Sequence, residues 1–159
     1  KKLQTAGGGK SMTCQIYLGE YQETITGTAA IAYVAIDEQG RLIQADARTV
    51  KSTEGISLQA VKMAARGLYY LRRFELAAIY TDNPTALAAL RQEYPPKGSR
   101  RIITDIRHRL AAIPYPVTLE LAIGSAHSAA AGTLARYAAT QKNYCSPTAQ
   151  QYKMLVHTL

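Results

Sequence analysis

The stretch IYTDNPTALAAL, residues 79 to 90, ends a short apolar strand on Asp82 and turns at once into a helix through Asn83 and Pro84. A carboxylate at a strand exit is a candidate catalytic acid, because open sheets gather their ligands at strand ends. Ser57, His127 and Asp82 supply the residue types of a hydrolytic triad, but no nucleophile elbow surrounds the serine, so that arrangement is set aside. His127 has no carboxylate or cysteine near it in sequence and by itself reads as a surface or capping residue. GGGKS, residues 7 to 11, ends like a phosphate-binding loop, yet Gln4 holds the place of its first glycine and no strand precedes it. The basic residues cluster more persuasively. Lys97, Arg100, Arg101, Arg107 and Arg109 surround one loop and helix, and Lys62, Arg66, Arg72 and Arg73 follow another, with Tyr69, Tyr70, Tyr94 and Tyr115 interleaved. Cations among aromatic rings suit phosphates and unpaired bases, whereas the plain alternative is a solvated helix face. Eleven tyrosines beside one Phe and no Trp also suit a protein interface, where Tyr and Arg act as anchors.

The elements that must position these groups follow from periodicity and turn chemistry. Residues 1 to 11 carry Gly and Lys without apolar periodicity and are expected to be a flexible lead-in. Strands are expected from Met12 to Leu18, over 27–36 and over 41–50, with DEQG as the second turn, which makes an antiparallel meander. A helix over 55–74 puts Leu58, Val61, Ala65 and Leu68 on one face and Lys62, Arg66 and Arg73 on another. LAAIYT, residues 76 to 81, is a short buried strand, and the helix over 84–92 stops before Pro95 and Pro96. A basic loop, PPKGSRR, leads to a helix in which Ile103, Ile106, Leu110 and Ile113 recur every three or four residues. A fifth strand over 117–123 precedes an alanine-rich helix over 127–141 with Leu134 and Ala138 inward, and 142–159 is a polar C-terminal tail. The order βββαβααβα predicts an α/β (α+β) domain over 12–141, a five-stranded mixed sheet with helices on both faces.

That order, with IYTD closing the fourth strand and TLARYAAT in the last helix, resembles the ribonuclease H family, in the style of the domains carried by retrotransposon reverse transcriptases. The resemblance implies four carboxylates, from the first strand, the first helix, the end of the fourth strand and the last helix, which hold two divalent cations for phosphodiester hydrolysis. Carried over residue by residue, it places the first on Gly19, the second on Ser57, the third on Asp82 and the fourth on Gly132. Glu20 neighbours the first position but belongs to the opposite face of a strand, and Glu54 lies about a turn before the second. No Asp or Glu occurs from Leu121 to Leu159, so no shift of alignment restores the fourth. His127 matches the mobile histidine that many members keep before the last helix. Asp82 and His127 thus read as remnants, and one acid of four does not offset the dehydration of two Mg²⁺ ions.

Composition sets the remaining bounds. A chain of 159 residues with 47% hydrophobic content suits one domain, and a formal charge of +8 favours polyanionic partners. No run approaches 18 apolar residues and no secretory signal opens the chain, so no membrane partner is expected. Cys14 and Cys145 provide neither a disulfide framework nor metal-ligand spacing, which fits a reducing, nuclear or cytoplasmic setting. A start at Lys1 rather than Met is expected of a fragment or processed form of a larger polypeptide. The sequence points to a non-catalytic ribonuclease H-like module without a cofactor, which binds RNA, DNA, an RNA–DNA hybrid or an acidic protein surface. One alternative is a rearranged nuclease using Asp82 with Glu20 or Glu54 and Mg²⁺ or Mn²⁺ to cleave RNA in hybrids. Another is a structural subunit of a larger assembly.

Overall fold

The computed structural model describes residues 12–71 and 74–159. The lead-in with its GGGKS stretch, Arg72 and Arg73 lie outside the described residues.

Five strands form one mixed sheet: β1 (Thr13–Gln22), β2 (Ala29–Ile36), β3 (Leu42–Val50), β4 (Leu76–Thr81) and β5 (Val117–Leu121), in the spatial order β3-β2-β1-β4-β5. The first three are antiparallel neighbours, whereas β4 runs parallel to both β1 and β5. Helices α1 (Ile56–Tyr70), α2 (Pro84–Arg91) and α3 (Arg100–Ala111) connect the later strands, and α4 (Ala126–Thr140) and α5 (Ala149–His157) follow β5. A single 3₁₀ turn, Lys97–Ser99, leads into α3.

The sheet is covered on both faces because its central strands are apolar on both. Every residue of β2, AAIAYVAI, is buried. On one face Ile16, Leu68, Ile79, Ile103 and Ile106 join the sheet to α1 and α3, and on the other Val34, Ala131, Leu134 and Tyr152 join it to α4 and α5. Full burial of one such aliphatic side chain contributes about 1.5–3 kcal/mol. Among the described residues no helix is long and apolar enough to cross a membrane.

Several boundaries differ from the sequence expectation, among them the end of α1 at Tyr70 rather than at residue 74 and that of β5 at Leu121 rather than at residue 123. β1 continues past Leu18 to Gln22, because Gly19 to Gln22 pair with Ala32 to Ala29 of β2. Arg100 and Arg101 belong to the first turn of α3 rather than to a basic loop. The segment expected to be a polar tail contains α5, started by a capping box between Thr148 and Gln151 and anchored by Tyr152, which is 1% exposed.

Candidate functional site

Asp82 stands at the exit of β4 and is exposed. The turn behind it is fixed locally: the Asn83 side chain accepts from the amides of Thr85 and Ala86 at 3.0 and 3.1 Å, and Pro84 takes the first helical position. The other end of the Asn83 amide reaches across the sheet end. Its Nδ2 donates to Ser57 Oγ at 3.0 Å, and Ser57 Oγ donates to Glu20 Oε2 at 2.6 Å. Ser57, 5% exposed at the start of α1, therefore joins β1, α1 and α2 in one chain of hydrogen bonds. Burial holds the Glu20 carboxyl above the usual carboxylate range, the Ser57 hydrogen bond pulls it partly back, and the charge of Asp82 raises it.

The preceding residue faces the other way. Gly19 lies against α4, and a Cβ built on it would overlap the backbone carbon of Ala131 and the backbone nitrogen of Gly132. Gly132 is different, since a Cβ there meets nothing within 4 Å. Beyond Gly19 on the α4 side, the rings of Tyr17 and Tyr80 stack with centroids 4.7 Å apart, and His127 lies 5.2 Å from Tyr17. His127 sits in the first turn of α4, where Ser125 caps its amide, and a hydrogen bond of 2.7 Å joins its Nδ1 to the Tyr152 hydroxyl. Burial pushes the His127 pKa below the ordinary histidine value. The same effect raises the Tyr152 phenol well above the ordinary tyrosine value.

The basic residues divide by position. A cleft of about 970 Å³ opens between α1, the end of β3 and the start of α3. Lys62, Arg66, Arg101 and Arg109 line it, joined by Arg48 from β3, against the acids Glu54 and Asp105. Asp105 takes Lys62 at 2.7 Å and Arg109 at 3.7 Å, whereas Arg66, Lys97, Arg100 and Arg101 have no ion pair among the described residues. Arg107 is turned to another use: its guanidinium donates to the Leu90 carbonyl at 3.0 Å and to that of Gln92, closing the end of α2. Of the four tyrosines read as stacking candidates, Tyr115 is buried, because its hydroxyl donates to the Leu68 and Leu71 carbonyls at 3.2 and 2.7 Å and its ring meets Phe74 edge-on. Tyr70 and Tyr94 are 69% and 82% exposed. Arg48 was missed in the sequence although alternation along β3 marks it: it pairs with Ile31, whose side chain belongs to the α1 face.

No protein-family model matches the sequence, and neither does the sequence of any curated protein. Solved structures do match. Ribonuclease H1 from the halophilic archaeon Halobacterium salinarum superposes with a TM-score of 0.68 at 16% identity, over 79% of this chain and 96% of that one. The fold is that of ribonuclease H. LC11-RNase H1, solved in complex with an RNA/DNA hybrid, gives 0.66 at 16% identity over 79% of this chain and 96% of its own. The foamy viral protease-reverse transcriptase, also in complex with an RNA/DNA hybrid, gives 0.62 at 10% identity over 82% of this chain and 20% of its own.

The residues that the resemblance placed at the four carboxylate positions do not by themselves make a fit for a pair of divalent cations. Backbone of α4 fills the space beside Gly19, a buried hydroxyl occupies the second position, and Gly132 brings no oxygen ligand. Among the described residues no three His, Cys, Asp or Glu side chains group so as to hold a metal ion.

Proposed function

We propose that the chain is a non-catalytic nucleic-acid-binding module on a ribonuclease H fold, with the cleft between α1 and α3 as its binding face. The observation that carries the reading is the contact of Gly19 with the α4 backbone, which leaves no room for a side chain, and so for a carboxylate, at position 19. The charge distribution supports the binding half. Arg100 and Arg101 stand in the first turn of α3, which has no acidic residue and no side-chain cap. Cations at that positive helix end cost roughly 0.3–1 kcal/mol each, a penalty that a bound phosphate removes. Two of the matching structures were solved with an RNA/DNA hybrid, which makes a nucleic acid the natural first partner to test.

The test is a gel shift with labelled RNA, DNA and hybrid across a salt series. Binding should weaken steeply as salt rises, because each phosphate neutralised releases counterions. No detectable binding at low salt would sink the proposal. A second reading, a rearranged nuclease on Asp82 and Glu20, draws on the electrostatic coupling of those two groups. Hybrid cleavage in Mg²⁺ or Mn²⁺ that disappears in Asp82→Asn would establish it.

A further inference from the structure

Beside the basic cleft lies a smaller cavity of about 310 Å³, lined by Arg66, Tyr69, Tyr70, His108, Arg109 and Ala112. Arg66 and Arg109 line both spaces, so the two share a cationic wall. Arg66 and Tyr70 are four residues apart on α1 and therefore neighbours on one helix face. The Tyr70 ring is 69% exposed and stands at 86° to that of Tyr69, with centroids 5.3 Å apart. One face of an aromatic ring thus stays open at the rim of a space that Arg66 also lines. The space is at the small end of ligand pockets, which run from about 300 to 1,000 Å³, and suits a single base better than a duplex.

We propose that this pocket receives one unpaired nucleobase, stacked on Tyr70, while the neighbouring phosphates lie along Arg66 and Arg101, so that the chain binds single strands in preference to hybrids. The inference rests on the cleft reading above. Bases inside a duplex already stack on both faces, whereas every unpaired base has a ring face free for an aromatic side chain. His108, across the pocket on α3, adds a polar edge that a base can meet with its own hydrogen-bonding groups.

Fluorescence anisotropy with a labelled oligouridylate of about twelve nucleotides, a length within the usual single-strand site sizes, tests it alone and annealed to complementary DNA. The single strand should bind more tightly than the hybrid. Tyr70→Ala should weaken the single strand about tenfold, within the range of one lost stack, and leave the hybrid unchanged, while Tyr70→Phe retains the affinity. Arg101→Ala should weaken both forms. If Arg101→Ala weakens binding but Tyr70→Ala does not, or if the hybrid binds as tightly as the single strand, the pocket inference is overturned and the cleft reading stands. If neither oligonucleotide binds, both fall.

Discussion

Gly19 and Glu20 are consecutive residues of β1, and the two faces of the sheet treat them differently. On the α4 side the helix backbone rests directly on Gly19, so close packing shuts that face at this residue. On the α1 side Glu20 is held in a hydrogen-bonded chain with Ser57 and Asn83, so polar pairing closes it. Close packing tolerates almost no added volume, whereas a hydrogen-bonded chain tolerates substitution at the cost of one or two partners. The two faces should therefore fail by different amounts and under different conditions.

The largest effect is expected on the packed face. Gly19→Asp should destabilise the fold by about 3 kcal/mol or more, since backbone atoms cannot step aside as a side chain can. Gly132→Asp, which meets nothing, should stay within about 0.5 kcal/mol, and urea denaturation of the two variants reads the contrast directly. Equal losses would show that the Gly19 contact is not what closes that face. On the polar face, Ser57→Ala removes the acceptor of Asn83 and the donor to Glu20 and should cost about 1–3 kcal/mol, with the Glu20 pKa rising further in a carboxyl-resolved NMR titration. Asn83→Ala loses the cap of α2 and should cost about 1 kcal/mol by the same denaturation measurement.

The smallest effects are those of pH. His127 is held below its ordinary pKa, so the unfolded chain takes up a proton first as pH falls, and its contribution is present above about 6.5 and lost below it. Glu20 is held above its ordinary value, so the folded chain keeps its proton longer as pH rises, and its contribution is present below about 4.5 and lost as pH climbs through the raised value. Between these limits the two slopes oppose each other. Glu20→Gln should make the change of stability with rising pH more positive, and His127→Gln should make it more negative; denaturation midpoints at several pH values check both.

What the sequence revealed depended on how local the cause was. The exit of β4 was legible because Asn83 and Pro84 act within one turn, and the inward face of α1 because Leu58, Val61, Ala65 and Leu68 share a period. The length of β1 was not, since Gly19 to Gln22 are strand only by pairing with β2. α5 carried its capping box in plain view and its Tyr152, Leu155 and Val156 at helical spacing, but nine residues give that period little more than two turns in which to show. At the candidate site, the resemblance drew attention to Gly19, Ser57 and Gly132 but carried none of their contacts. The hydrogen bonds that recruit Ser57 and the nearness of α4 to Gly19 arise between segments far apart in the chain, as do the carbonyls that engage Arg107 and Tyr115.

The meeting of Gly19 with α4 also bears on how this molecule can change. The spacing between strand and helix is set by side chains that are missing, so it behaves as a ratchet. Any residue larger than glycine at position 19 requires α4 to lift first, and α4 carries Leu134 and the His127–Tyr152 contact with it. Single substitutions therefore have no passable route from this arrangement to one that seats a carboxylate at position 19. Only coordinated changes in strand, helix and the layer above them would open the way.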